Sequence, residues 1–274
     1  MSSLIKIEWL KIKKYPAFWW MLVIVLLTYP GINAIGFNIY QQMTNKQDVM
    51  AQMLKFAFGN PFAFPEAWHS VAYFSSFFVM VPAILVIMLA TNEYTYKTHR
   101  QNIIDGWSRK QFTTAKLIDV LIVSVIATLV YALTAMSFAF YTESDKADRF
   151  AEQLEYIPLF LLQTFAQLSI AFMLGFLIRK AFIALGIFFF YYFIVENILL
   201  GLLKWQKIEI YDWLPFEISD KLIPPPAFIS RFGKEAMDYY NEAVKAIPYH
   251  VAGTVIITSI IWWICYKVNS KKDL

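Results

Sequence analysis

Six apolar stretches dominate this chain, and each is long enough to cross a lipid bilayer as an α-helix. They lie at 17–37, 71–90, 117–141, 157–178, 181–203 and 249–268. Of the 274 residues, 59% are hydrophobic and only 16% are charged, whereas about a quarter are charged in a typical soluble domain. Because a water-soluble core could not bury so much apolar surface, the bilayer must solvate much of it. The sequence therefore predicts an all-α membrane protein: one domain, 1–274, with six transmembrane helices.

Lys and Arg are distributed unevenly between the two sides of the predicted spans. Fourteen of the 24 lie in about 50 residues on the side of the N-terminus, and ten lie in about 90 residues on the other side. The positive-inside rule then places the N-terminal side in the cytoplasm. Five acidic residues crowd one short loop on the opposite side, between Glu143 and Glu155. An even number of spans predicts that both termini are cytoplasmic, in a multi-pass protein of the inner or plasma membrane.

The first 16 residues form a basic, partly amphipathic segment. Leu4, Ile5, Trp9 and Ile12 share one face of a helix, and lysines lie on the other face. Such a helix could lie along the inner surface with its lysines on anionic head groups. A basic flank that only sets the orientation of the first span is the alternative.

A basic, glycine-interrupted segment follows the second stretch, at 92–116. Its length suits a short helix, a turn at Asp105-Gly106 and the start of the third span. Ile103, Ile104 and Trp107 lie among basic residues, and a short amphipathic helix with a basic rim is suited to docking in a groove on another protein. A solvated loop that only sets orientation fits the same pattern.

This segment resembles the cytoplasmic loop of permease subunits of ABC-2-type ABC transporters. In that family a Glu ends the second span, a Gly and then a Ser-Arg pair follow in the loop, and a Lys opens the third span. The matching residues are Glu93, Gly106, Ser108-Arg109 and Lys116. The N-terminal run at 7–19, IEWLKIKKYPAFW, also resembles the family's opening, and so does a long loop before the last span with Trp-Leu-Pro-Phe at 213–216. The chain departs from the family at Trp107, where a Pro is common.

The resemblance implies a transport subunit rather than an enzyme. Two permease copies, as a homodimer, would form the export pathway, two ABC ATPase subunits would bind beneath them, and lipids would surround the helices; no nucleic-acid partner is expected. The family's elbow helix would be 1–16, its coupling loop 92–116 and its extracytoplasmic cap 204–248. The residues implied in ATPase coupling are Glu93, at the hinge between span and loop, and Lys97, Arg100, Ile103, Ile104, Gly106, Trp107 and Arg109.

The chain lacks the phosphate-binding motif of ATPases. No Gly-x-x-x-x-Gly-Lys-Ser/Thr run occurs, and Gly233-Lys234 has no upstream Gly at the required spacing. We therefore predict that this chain has no ATPase activity and no cofactor of its own. A partner subunit would bind ATP and Mg²⁺.

Two predicted spans carry polar side chains that a bilayer disfavours. Glu196 lies well inside the fifth span, where an isolated carboxylate costs about 2.5–3.5 kcal/mol on insertion scales. Asn197 follows it, and Gln163 and Gln167 share a face of the fourth span at a spacing of four. These four are candidates for the transport pathway or for a dimer interface. Hydrogen bonds that only fix packing, such as one from Glu196 to Asn197 or a nearby tyrosine, are the alternative.

The sequence contains no catalytic or metal-binding motif. His69, His99 and His250 fall in separate segments without a His-Glu-x-x-His pattern, and no Gly-x-Ser-x-Gly occurs. The single cysteine, Cys265, excludes an intramolecular disulfide and a multi-cysteine metal site. Two alternatives to a permease stay open: an intramembrane enzyme, or its assembly factor, with Glu196 and the polar residues of the fourth span as its site, and a sensory or scaffold protein whose basic loop binds a partner.

Overall fold

Helices form nearly all of the structure, a computed structural model that describes residues 2–45, 59–104, 106–142, 148–226, 228–229 and 234–271. Within these ranges there is no β-strand, and an all-α protein is confirmed. The α-helices are α1 (Ser2–Lys14), α2 (Pro16–Thr44), α3 (Ala67–Ser76), α4 (Met80–Thr95), α5 (Thr98–Ile104), α6 (Arg109–Thr142), α7 (Tyr156–Ile178), α8 (Ala181–Trp205, with a π-helical turn at Tyr191–Val195), α9 (Pro215–Asp220) and α10 (Lys234–Lys271). A 3₁₀-helical turn, Glu209–Trp213, precedes α9.

Among the described residues, α2, α6, α7, α8 and the Asp238–Ser270 part of α10 are long and apolar enough to cross a membrane. The pair α3–α4 passes the same test together, although the two helices meet at an angle of 52°. With this pair counted as one span, the six predicted spans occur in the predicted order. The second span, expected over 71–90, is therefore a broken helix.

Prolines act differently in three of the spans. The Pro30-Gly31 pair predicts a kink or a break near the outer end of the first span, and α2 continues through both residues without a break. The break at 77–79 lies just before Pro82, the second proline expected to bend its span. A proline ring clashes with the carbonyl four residues earlier, here that of Phe78, which accounts for the position of the bend. Pro248 lies inside α10, which continues through it.

Two helix boundaries differ from the predicted ones. Helix α6 begins at Arg109, two turns before the expected start at 117, so the loop after the second span shortens to the residues between Thr95 and Arg109. The second half of the expected cap at 204–248 is also different from the prediction. From Lys234 onward it forms one continuous helix, α10, with the last span.

Helix α7 is the centre of the bundle. It packs against α3, α4, α6, α8, α9 and α10. Of its most apolar stretch 61% is buried, against 17% for α8, which lies at the periphery. Gly175 lets α7 approach α4 closely, because a side-chain carbon there would come within 3.1 Å of the Ala90 Cβ atom and 3.2 Å of the Ile87 carbonyl oxygen.

The two ends of the described chain lie at the same end of the bundle. Helix α1 packs against α6, and the Arg109 guanidinium at the start of α6 donates to the Ser270 carbonyl near the end of α10, at 3.1 Å. We call this the terminal end, and we call the opposite end, which carries α9, the distal end. Six spans with both ends on one side agree with this arrangement.

Candidate functional site

A cluster of charged side chains at the terminal end joins three helices. The Lys116 Nζ atom of α6 lies 2.7 Å from a carboxylate oxygen of Glu8 on α1 and 2.6 Å from one of Glu93 on α4. It also lies 3.0 Å from Asp119, one turn further along α6. Lys11 adds a second ammonium group, 2.9 Å from Glu8 and 3.4 Å from Glu93. We call these five residues the terminal charge cluster.

Most of this cluster is shielded from solvent. Residue exposure is 1% for Glu8 and 3% for Lys116, while the Lys11 side chain remains 35% exposed. The pKa of the Glu8 carboxyl is lowered: burial alone would raise it, but the charges of Lys116 and Lys11 outweigh the burial. Removing one partner of such a buried pair leaves an uncompensated charge and costs about 3–5 kcal/mol. The cluster therefore fixes α1, α4 and α6 relative to one another.

Glu93 also connects the cluster to the short helix α5. The Thr98 hydroxyl donates to the second carboxylate oxygen of Glu93, and the His99 Nδ1 atom lies 2.9 Å from the Glu93 carbonyl oxygen. Lys97, between α4 and α5, has a positive φ of 56°, which reverses the chain direction. Glu93 thus occupies the junction between span and loop, the position that the resemblance implied for it.

The short helix and turn expected in the loop are present. Helix α5 ends at Ile104, and Gly106 adopts a φ of 94°, a conformation that favours glycine. The predicted coupling residues divide into two groups. Lys97, Ile104 and Gly106 are exposed, and Ile104 is 77% exposed.

The other predicted coupling residues face the bundle more than the solvent. Ile103, Trp107 and Arg109 are half-buried. The Lys11 Nζ atom lies 5.5 Å from the centre of a Trp107 ring, and the Asn269 amide donates to the Arg109 carbonyl at 2.9 Å. The Arg100 side chain lies outside what the structure describes. Among its described residues, the loop thus exposes two large hydrophobic side chains, Ile104 and the 71% exposed Tyr96.

Four members of the cluster were not among the predicted site residues, and one of them, Lys116, was named only as the residue that opens the third span. Glu8 is the only acidic residue in the first 16, and Asp119 is an acid at the start of an apolar span. The rule that drew attention to Glu196, a carboxylate where the bilayer disfavours one, applies to Asp119 as well. Lys11 carried no signal that set it apart from its basic neighbours.

At the distal end, the polar residues of the spans bind α9. The Glu196 carboxylate accepts hydrogen bonds from the backbone N–H groups of Phe216 and Glu217, at 2.8 and 2.7 Å. These N–H groups belong to the first turn of α9 and have no partner within the helix. A negative charge at a helix N-terminus is also favoured by the helix dipole. Glu196 therefore acts as a side-chain cap for a helix that is 20 residues away in the chain.

Gln163 and Gln167 hold the other end of α9. Both amides donate to the Oδ1 atom of Asp220, at 2.8 and 2.7 Å, and Gln167 also donates to the Ser219 hydroxyl at 3.2 Å. Asn197 is separate from this group, because it is exposed and donates to the Tyr192 and Phe193 carbonyls of its own helix. Asn197 is therefore not the partner of Glu196, one of the two partners named for it in the packing alternative.

This geometry argues against the enzyme alternative. Its site rested on Glu196 and the polar residues of the fourth span, and these side chains are bonded to α9 instead. Across the described ranges, no group of three or more His, Cys, Asp or Glu side chains is placed to hold a metal ion.

A comparison with protein families agrees with the helical arrangement. The family model described as "ABC-2 family transporter protein" matches residues 4–195. The chain belongs to this ABC-2 family. It is a multi-pass protein of the cell membrane and the membrane component, or permease, of an ABC transporter; it is not itself the ATPase, and its family partners with an ABC ATPase subunit. No curated protein and no solved structure compared with this ABC-2 permease matches it.

The family match covers the functional residues of the terminal end but not α9 at the distal end. It begins in α1 and ends in α8, one residue before Glu196. The terminal charge cluster and the loop from α4 to α6 lie inside the match. Helix α9 and the carboxylate that caps it lie outside.

Proposed function

We propose that this ABC-2 permease forms the pathway of an ATP-driven exporter as a homodimer, with two ATPase subunits docked on its terminal end. The ATPase subunits would bind ATP and Mg²⁺, and this chain would supply no group to hydrolysis. The observation that carries the proposal is the direct connection from an exposed loop tip, through Glu93, to the terminal charge cluster. Under this proposal the terminal end is cytoplasmic, as the distribution of Lys and Arg predicts.

The loop suits a docking element because of how its side chains are divided. Ile104 would insert into a groove of the ATPase, with Lys97 and Arg100 at the basic rim. Ile103, Trp107 and Arg109 would hold the loop against α1 and α10 and not touch the partner. This assignment revises the set read from the sequence, in which all of these residues formed one contact.

The charge cluster suits the transmission of movement. A displacement of α5 would pull on Glu93 through Thr98 and His99, and the cluster would pass it to α1 and α6. Because separating these charges is costly, the three helices would move as one unit. A cavity of about 380 Å³ beside Glu8, Lys11 and Glu93 leaves room for such a movement. Nucleotide binding would then shift the permease between two arrangements by favouring one of them.

Ile104→Asp tests the docking role. We expect capture of the ATPase subunit by the tagged permease from native membranes to fall by about tenfold or more, since an anchor residue of an interface contributes roughly 2 kcal/mol. The captured protein is identified by its P-loop sequence and by ATP hydrolysis. Folding should be unchanged, because Ile104 is 77% exposed.

Ile210→Asp is the matched control, an isoleucine that is 60% exposed at the distal end. It should leave capture unchanged. Equal capture by wild type and Ile104→Asp would refute the docking role. Capture of the ATPase without ATP-dependent transport in vesicles would favour the sensory or scaffold alternative.

A further inference from the structure

A polar cavity lies at the distal end, between α9 and the helices around it. Its volume is about 690 Å³, within the range of about 300–1,000 Å³ that is typical of small-molecule sites. Its walls come from the bend between α3 and α4, from α8 and α9, from the prolines that follow α9, and from the first turns of the described part of α10. The hydrogen bonds of Glu196, Gln163 and Gln167 to α9 hold one wall in place.

Negative charge exceeds positive charge on these walls. The ionisable side chains that line the cavity, apart from tyrosines and histidine, are Asp212, Glu217, Asp220, Glu242, Lys204 and Lys221. Lys221 pairs with Asp212 and, at 3.2 Å, with Glu217. Asp220 and Glu242 form no ion pair within the described residues. The cavity therefore has two carboxylates that a bound cation could neutralise.

Asp220 is held in position without being neutralised. Its Oδ1 atom accepts from two amides, Gln163 and Gln167, and amide donors orient a carboxylate while leaving its charge intact. The side chain remains exposed at the cavity wall. A carboxylate fixed in this way is preorganised for a cationic group, because no side-chain ordering is needed when the cation binds.

Aromatic rings form much of the remaining wall. They are Tyr73, Phe77, Tyr192, Tyr211, Tyr239 and Tyr249. The face of an aromatic ring attracts cations, and aromatic cages are used to bind organic ammonium groups. Tyr211 already accepts cations in this structure: the Lys221 and Lys204 Nζ atoms lie 5.1 and 5.3 Å from its ring centre.

His250 adds a second observation. It lines the cavity, is only 7% exposed, and its buried Nδ1 atom has no hydrogen-bond partner among the described residues. A buried polar atom left without a partner costs about 1–3 kcal/mol. An unpartnered polar side chain in the wall of a cavity calls for an explanation, and a bound ligand is one.

We infer that the distal cavity binds a protonated amine attached to an aromatic or other apolar group. The ammonium group would pair with the carboxylates of Asp220 and Glu242, and the apolar part would lie against the tyrosines. That such amines are the class of molecule exported rests on the proposed function; that the cavity binds them does not.

Fluorescence titration of the purified full chain in nanodiscs tests the inference. The probe is dansylcadaverine, a primary amine joined to an aromatic fluorophore, and the control probe is its neutral N-acetyl derivative. We expect the wild-type chain to bind the amine at least about tenfold more tightly than the neutral probe. Equal affinity for the two probes, or no binding of the amine, would overturn the inference.

Three variants locate the binding. Asp220→Asn keeps an oxygen that can accept from Gln163 and Gln167, and it should abolish the preference for the amine. Glu242→Gln should reduce the preference by about threefold, since this side chain is exposed and its charge is better screened. Glu152→Gln removes a carboxylate from the same end but outside the cavity and should change nothing.

If Asp220→Asn does not fold, Glu242→Gln tests whether the amine binds in this cavity. This variant should fold, because Glu242 is exposed and makes no described bond. An unchanged preference in Glu242→Gln, or a loss of preference in Glu152→Gln, contradicts the site. Binding is measured without the ATPase, so it is independent of the proposed export. A permease that captures its ATPase but binds no amine refutes this inference alone, and one that binds the amine but captures no ATPase refutes only the proposed function.

Discussion

The two ends of the permease stabilise their polar side chains in different ways. Each buries polar side chains in a protein that crosses a membrane. At the terminal end, Lys116 pairs with carboxylates from three helices, so negative charge is opposed by positive charge. At the distal end, one carboxylate oxygen of Glu196 accepts from backbone N–H groups, and Asp220 accepts from side-chain amides. The first arrangement binds helices to one another, whereas the second positions a short helix and leaves a carboxylate facing a cavity.

This difference suggests a division of roles. Buried ion pairs resist separation, because each unpaired charge would be left in a medium of low polarity. Such ion pairs are suited to a part of the protein in which several helices move together. Hydrogen bonds to a helix terminus and to one carboxylate oxygen are weaker individually and fix geometry without removing charge. Such hydrogen bonds are suited to the wall of a ligand-binding cavity.

The largest effect should come from Lys116→Met, which leaves three carboxylates without their shared ammonium partner. We expect a destabilisation of about 3–5 kcal/mol, measured as a fall in the midpoint of thermal unfolding in one detergent. Lys110→Met, on the same helix but exposed, is the control and should lie within about 0.5 kcal/mol of wild type.

A double variant sharpens this test. If the cost of Lys116→Met arises from unpaired carboxylates, adding Glu8→Gln should recover part of it, because one of those charges is removed. The two substitutions should then cost less together than the sum of their separate effects. Additive costs would mean that Glu8 and Lys116 do not interact in the folded protein.

A smaller effect is expected from Glu196→Ala at the distal end. It removes two hydrogen bonds to a charged acceptor at the start of α9, which should cost about 1.5–3 kcal/mol. The loss should be local, with faster hydrogen exchange in α9 and little change in α1. Asn197→Ala is the matched neighbour and should have almost no effect, because its side chain is exposed and bonds only to its own helix. Faster exchange throughout the bundle would show that Glu196 supports more than α9.

The smallest expected effect is a pH dependence of the stability that arises from Asp220 at the distal end. Although the Asp220 side chain is accessible from the cavity, the protein packed around its carboxyl group desolvates it and raises the pKa to about 6, against the opposing effect of the Gln163 and Gln167 amides. The folded protein then holds a proton that the unfolded chain has already lost, so this group stabilises the fold at low pH. That contribution is lost as the pH rises through about 6.

The measurement compares thermal unfolding at about pH 5 and about pH 7. Wild type should lose slightly more stability on going to the higher pH than Asp220→Asn does. Glu8 should not contribute in this range, because its pKa is lowered and its stabilisation is lost only in more acidic solution. An identical pH dependence in wild type and Asp220→Asn would contradict the raised pKa.

Much of the fold was predictable because its signals are local. The spans follow from the length of the apolar runs, and the helix and glycine turn of the loop follow from a short pattern between Thr98 and Gly106. Errors occurred where a local signal has more than one outcome. Pro30 and Pro248 lie inside continuous helices, whereas the break before Pro82 divides a span. The same residue type bends a helix or not according to what packs around it.

The candidate site was predictable only in part. The loop and the four polar residues of the spans could be named from the sequence, and Glu93 was placed at its junction. Glu196 was singled out because a carboxylate is disfavoured in a bilayer, but its partner, the start of α9, gave no sign in the sequence. The terminal charge cluster as a whole was missed: Glu93 and Lys116 belong to the loop pattern, but nothing in the sequence connects them to Glu8, Lys11 and Asp119.

The sequence by itself determined that this chain is a helical membrane protein of the ABC-2 type, because hydrophobic length and loop pattern are properties of contiguous residues. Only the tertiary structure decided which buried charges are neutralised and which still face a cavity. Lys116 and Glu8 are 108 residues apart in the chain and 2.7 Å apart in space. The energy of a buried charge depends on the atoms around it, and those atoms come from helices that only folding brings together.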